Sequence, residues 1–149
     1  WIDDHINNNI FYNNNLINNS DGVDMLGGCF NNSFDSSILK NNGVGVVITY
    51  NCDNNIFKNN KVISNTKGVL LYSVSQNLFW NNSFDNLIYN IEERSNSNYW
   101  NSSIIGNYWS DFQNNQGFPN YYEVNGSGDG IDYKPIHKKP LNDPNPEIR

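Results

Sequence analysis

Apolar residues recur along this chain in short runs broken by asparagine and glycine, and the runs repeat at a 23-residue step. Phe11, Phe34 and Phe57 are 23 apart, and Phe79 follows after 22. Gly22-Val23, Gly45-Val46 and Gly68-Val69 keep the step, as do Cys29 and Cys52. A fixed period of this length marks a stacked solenoid, in which one coil cannot bury its apolar side alone. Each coil carries three short apolar stretches separated by corners of Asn or Gly, residues that tolerate positive φ. No 3.6-residue period is visible, and Asn and Gly are weak helix formers. The pattern predicts an all-β, parallel β-helix of four to five coils over residues 1–105. An irregular, aromatic- and Gly/Asp-rich capping segment follows over 106–149.

The inward columns should be Phe11, Phe34, Phe57, Phe79 and Trp100; Leu16, Leu39, Val62 and Phe84; and Val23/Met25, Val46/Ile48 and Val69/Leu71. The register puts Glu93 inward without a partner, which is costly. It therefore predicts a break or bulge there and an end to the regular coil near Ile91. The glycine-valine strands are apolar on both sides. Leu26, Val47, Leu70 and Tyr72 should point outward, and a strand apolar on both faces is normally covered on both. Either the aromatic tail (Tyr108, Trp109, Phe112, Phe118, Tyr121, Tyr122) or a second subunit could cover that row.

Composition sharpens this picture. The chain has 149 residues, 33 of them asparagine, and 14% aromatic residues. The regular aromatic positions argue against a disordered low-complexity tract. Asparagines in one column can hydrogen-bond from coil to coil, because neighbouring strands lie about 4.8 Å apart. The formal charge of −6 and the absence of a Lys/Arg cluster exclude nucleic acid as a natural partner. No apolar run approaches the roughly 20 residues that span a bilayer. Trp1 begins almost directly in a coil, so an open strand edge is expected at that end if the subunit is complete.

The strings Asn54-Asn55-Ile56-Phe57-Lys58-Asn59-Asn60 and Asn65-Thr66-Lys67-Gly68-Val69-Leu70-Leu71 resemble the β-helix repeats of the NosD-like family. That family is also grouped with carbohydrate-binding proteins and sugar hydrolases. Gly106-Asn107-Tyr108-Trp109-Ser110-Asp111-Phe112, with Gly128-Asp129-Gly130-Ile131-Asp132-Tyr133-Lys134-Pro135, is similar to a terminal motif of archaeal surface proteins of this group. The resemblance covers residues 6–136. It implies a right-handed parallel β-helix on a secreted or cell-surface protein, and no single activity.

The candidate chemistry is sparse. The family name carries copper, but the soft donors His5, His137, Met25, Cys29 and Cys52 show no metal-ligand spacing, so no copper is expected. Asn125, Ser127, Asp129 and Asp132, spaced by glycines, resemble a calcium loop, to which Asp111 or Glu123 could contribute. The alternative is a metal-free glycine turn. Cys29 and Cys52 share a column and should stack as thiols. Tyr12 and Trp80 are exposed aromatics in one outward column with Asp35 and Lys58, and such rings can stack on sugars. Asp35 and Lys58 read as a weak surface pair. Asp3 and Asp4 lie at the fraying start. Sequons at Asn18, Asn31, Asn81, Asn101 and Asn125 are about as many as chance gives.

No column holds the convergent carboxylates that a polysaccharide-processing enzyme needs. The leading expectation is therefore a non-enzymatic extracellular surface module that self-assembles or contacts another surface protein. A glycan-binding adhesion domain and an enzyme fragment are the alternatives.

Overall fold

The computed structural model describes residues 2–3 and 5–138; Trp1, Asp4 and residues 139–149 lie outside the described residues. The chain enters through β1 (Ile2–Asp3). Coil one is β2 (Ile10–Tyr12), β3 (Asn15–Ile17) and β4 (Asp21–Leu26). Coil two is β5 (Ser33–Asp35), β6 (Ile38–Lys40) and β7 (Val44–Thr49). Coil three is β8 (Ile56–Lys58), β9 (Lys61–Ile63) and β10 (Lys67–Tyr72). Coil four is β11 (Leu78–Trp80), β12 (Ser83–Asp85) and β13 (Tyr89–Arg94). Beyond it come β14 (Tyr108–Trp109), a 3-10 turn (Phe112–Asn114), β15 (Tyr122–Glu123) and β16 (Ile131–Asp132).

Like strands of successive coils pair in parallel, giving sheets β2-β5-β8-β11, β3-β6-β9-β12-β14 and β1-β4-β7-β10-β13. The 23-residue step is the pairing register itself. Phe11 lies opposite Phe34, Phe34 opposite Phe57, and Phe57 opposite Phe79. Their rings stack face to face at 4.6, 4.6 and 4.8 Å, and Trp100 continues the column at 4.5 Å. Leu39, Val62 and Phe84 fill the second column, and Val46/Ile48 and Val69/Leu71 fill the third; all are buried.

Asparagine does two jobs, and the Asn-Asn doublets divide them. The first residue of each doublet turns the corner. Asn13, Asn31, Asn41, Asn54, Asn59 and Asn81 all have φ between 54° and 59°, the left-handed region in which asparagine is among the few favoured side chains. The second residue turns inward and joins a ladder. Asn32, Asn55, Asn77 and Asn98 form one, Ser37, Asn60, Asn82 and Asn107 another, and Asn42, Asn65, Asn86 and Asn90 the third. At each asparagine step Oδ1 accepts both the backbone N–H and the Nδ2–H of the preceding ladder member: Asn55 N and Nδ2 lie 3.0 and 3.1 Å from Asn77 Oδ1. The remaining Nδ2–H serves a backbone carbonyl, as Asn60 does to Phe34 O at 2.9 Å. The ladders thus satisfy corner backbone groups that no sheet can reach.

Glycine at the start of each long strand is a packing requirement. A Cβ on Gly45 would lie 2.5 Å from Val62 Cγ1 and 2.7 Å from Gly68 O. Gly45→Ala should therefore destabilise by about 1–3 kcal/mol through overpacking, read as a lower midpoint in urea unfolding. Asn90 stands at the equivalent place in coil four, where among the described residues no further long strand lies above it.

The predicted break at Glu93 is not present. β13 runs unbroken to Arg94 and Glu93 points inward, fully buried. Its partners come from the irregular segment just after the strand: Asn98 Nδ2 donates to Oε1 at 2.7 Å and Trp100 Nε1 to Oε2 at 2.9 Å. Nor do the described residues of the tail lie over the outward face of the long sheet. Trp109 continues the second column, stacking on Phe84 at 4.6 Å, and Tyr122 stacks on Trp109 at 4.1 Å. The tail therefore closes the end of the stack.

Candidate functional site

The three ladders all end at this closed end, each on a carboxylate. Asn98 Nδ2 donates to Glu93. Asn107 N donates to Asp132 Oδ2 at 2.7 Å, and Asn90 Nδ2 to Asp111 Oδ1 at 2.8 Å. A carboxylate is acceptor-only, so it takes the last donors of a ladder and offers none onward. Asp132 also accepts from Trp109 Nε1 at 2.9 Å and from Lys134 N at 2.9 Å. Asp111 also accepts from the Tyr122 hydroxyl. Burial raises the pKa of Glu93 and of Asp132 above the ordinary carboxylate range, outweighing the donors on each. Burial next to Asp111 raises that of the Tyr122 phenol.

This arrangement overturns the calcium loop. Gly126, Gly128 and Gly130 are spaced to pack on Glu93. Added Cβ atoms would lie 1.9 Å from Glu93 O, 2.8 Å from its Cγ and 2.2 Å from its Oε2. Glu93 N donates to the Asn125 carbonyl, and Gly128 N to Glu93 O. Asp132 is committed to three N–H donors. Ser127, Asp129 and Glu123 are exposed. Among the described residues no three of His, Cys, Asp and Glu come together as metal ligands. The loop is a glycine-lined lid on a buried glutamate.

The exposed aromatics do not form one platform. Tyr12 on β2 and Trp80 on β11 stand on the two edge strands of their sheet. Tyr12 is 65% exposed. Trp80 is half-buried, with the Lys58 ammonium 5.8 Å from its ring centroid. Lys58 also pairs with Asp35 at 3.5 Å on the surface. Burial tends to raise the Asp35 pKa, but Asn59, Ser36 and Lys58 together hold it below the usual range.

On the long sheet, Val47 lies opposite Leu70, and Tyr72 opposite Thr49. Val47, Leu70 and Leu26 are half-buried and Tyr72 is exposed, its ring edge-on to Tyr50 at 6.0 Å. Charge gathers at one end of this face: Lys67 lies over the Tyr89 ring, and Glu92 pairs with Arg94 and accepts the Tyr89 hydroxyl. The Tyr89 hydrogen bond is the main cause of a lowered Glu92 pKa.

Cys29 and Cys52 stack as buried free thiols, with Cys29 N–H donating to Cys52 Sγ at 3.3 Å. Burial pushes the Cys52 thiol up to about 11.

Residues 2–114 match the family described as Periplasmic copper-binding protein (NosD). The chain belongs to the NosD family. No curated protein and no solved structure matches it. The exclusion of copper, drawn from ligand spacing alone, is corrected by this finding, because copper binding is the family's own description. The donors present in this NosD-family chain do not converge among the described residues. Met25, Cys29 and Cys52 are fully buried, and the raised Cys52 pKa opposes the thiolate that soft metals take. His137 packs edge-on against Phe112 at 5.2 Å. No helix among the described residues is long and apolar enough to cross a membrane.

Proposed function

We propose that this NosD-family chain is a non-enzymatic, extracytoplasmic β-solenoid module that associates side to side with a second copy through its long sheet. The family's periplasmic description supports the placement outside the cytoplasm. The observation that carries the docking role is the outward row Leu26, Val47, Leu70 and Tyr72, which the described part of the tail leaves uncovered. The interior cannot serve as a binding chamber, because stacked rings and asparagine ladders fill it. A head-to-tail filament is disfavoured, since the closed end offers no free ladder donors to another coil. Burying the row is worth about 25 cal/mol per Å² before the costs of association.

The test is the double substitution Val47→Lys with Leu70→Lys, followed by sedimentation velocity over a concentration series. The wild type should self-associate as concentration rises. The variant should stay monomeric with an unchanged melting temperature, because both side chains point away from the core. A wild type that remains monomeric at the highest concentrations reached would overturn the reading.

A further inference from the structure

The closed end also builds a cleft that the docking face does not use. After Arg94 the chain returns beside β11, where Tyr99 bridges to Leu78. The segment holding β16 folds over from the other side. Between them lies a cleft of about 280 Å³, lined by Ser97, Tyr99, Asn101, Asp129, Ile131 and Tyr133 among others. Two hydrogen bonds hold its walls together: Ser97 N donates to Asp129 Oδ1 at 3.3 Å, and Tyr133 N to Asn101 Oδ1 at 3.0 Å.

Most aromatic rings near this end are stacked inside the column or cap. Tyr99 and Tyr133 instead line the cleft. They are 55% and 65% exposed. Among the described residues neither ring stacks on another, and neither phenol hydroxyl has a hydrogen-bond partner. What sets this pair apart is that both rings line one concave cleft together with hydroxyl, amide and carboxylate groups, the mix that small-molecule sites use.

We propose that the Tyr99–Tyr133 cleft binds a neutral saccharide. Sugar rings carry apolar C–H faces that suit tyrosine faces, and hydroxyls that suit Asp129, Ser97 and the two phenols. A carboxylate accepts two hydrogen bonds at once and so matches a pair of neighbouring hydroxyls. An anion would meet Asp129 and a chain of net charge −6. The volume lies just below the usual range of small-molecule sites, which begins at about 300 Å³, and suits a single sugar ring. This proposal stands independently of side-to-side association.

The test is titration of the whole chain with methyl glycosides of glucose, galactose, mannose and N-acetylglucosamine. Ligand-observed NMR is the readout, and choline serves as a cationic control. At least one glycoside should bind. Tyr99→Ala and Tyr133→Ala should each weaken binding about tenfold, as loss of one ring contact implies, with no change in melting temperature. Tyr12→Ala should leave binding unchanged. Failure of all four glycosides, binding that survives the double Tyr99→Ala/Tyr133→Ala variant, or selective binding of choline would each overturn the proposal.

Discussion

Asn60→Asp should destabilise the protein severely at neutral pH, although the two side chains have nearly the same shape. Asn60 is fully buried in the middle of its ladder. Its Oδ1 accepts Ser37 N at 2.9 Å, a bond that aspartate keeps. Its Nδ2 donates to Phe34 O at 2.9 Å and to Asn82 Oδ1 at 3.1 Å. The substitution replaces that double donor with an anionic oxygen facing two acceptors. Two hydrogen bonds are lost, two buried acceptors lose a donor, and a charge is buried unpaired. The expected cost is about 3–5 kcal/mol, against a total stability of about 5–15 kcal/mol for an ordinary domain. Lowering the pH should restore much of the loss by protonating the new carboxyl, which can then donate to one of the two acceptors. The comparison to make is urea unfolding of wild type and variant at neutral and at acidic pH. An unchanged midpoint at neutral pH would mean that the ladder is not polar in the direction described.

The columns were legible because a parallel solenoid repeats its register in the sequence: Phe11, Phe34, Phe57 and Phe79 are neighbours in the chain's period and in space. The asparagine stacking was legible in kind but not in detail. The doublets carry the missing signal, since only their first members sit at exposed left-handed corners. What escaped lies where the period ends. Glu93 looked unpartnered because Asn98 and Trp100 follow it within a coil that has lost the 23-residue step. The tail looked free to lie on a side face, yet Trp109 follows Phe84 by 25 residues and Tyr122 then stacks on it, which makes an irregular fifth rung legible in hindsight. The glycine spacing of residues 126–130 suggested a metal loop because glycine suits both sharp cation loops and close backbone contact. Only the position of the Glu93 side chain distinguishes these uses. The cleft between Tyr99 and Tyr133 joins residues 34 apart outside any repeat, so the sequence pattern carried no sign of it.

Asp132→Ala should detach the cap and lower stability nearly as much. Asp132 is fully buried and collects three N–H donors, from Asn107, Trp109 and Lys134. Gly106 comes so close that an added Cβ would lie 1.9 Å from Asp132 Oδ1. Truncation leaves those donors buried without an acceptor and opens a cavity beside Trp109, at a cost of about 3–5 kcal/mol. The wild type should also show a characteristic pH dependence. Burial raises the folded-state pKa of Glu93 and of Asp132. The folded chain therefore holds these protons more tightly than the unfolded chain does. The stability they contribute is fully present below the unfolded carboxylate pKa of about 4 and is lost as pH rises through the raised values. Melting temperature should thus climb on acidification from neutral pH toward about 4. Below that it should fall, because Asp35 and Glu92 have lowered pKa values and lose their contribution as pH drops through them. Asp132→Asn separates shape from charge. It should melt lower than wild type at neutral pH, since an amide places N–H groups against at least one of the three donors. It should also climb less steeply on acidification, having lost one of the two raised groups. A wild-type melting curve that stays flat or falls between neutral pH and about 4 would show that these buried carboxyls do not control the stability of the cap.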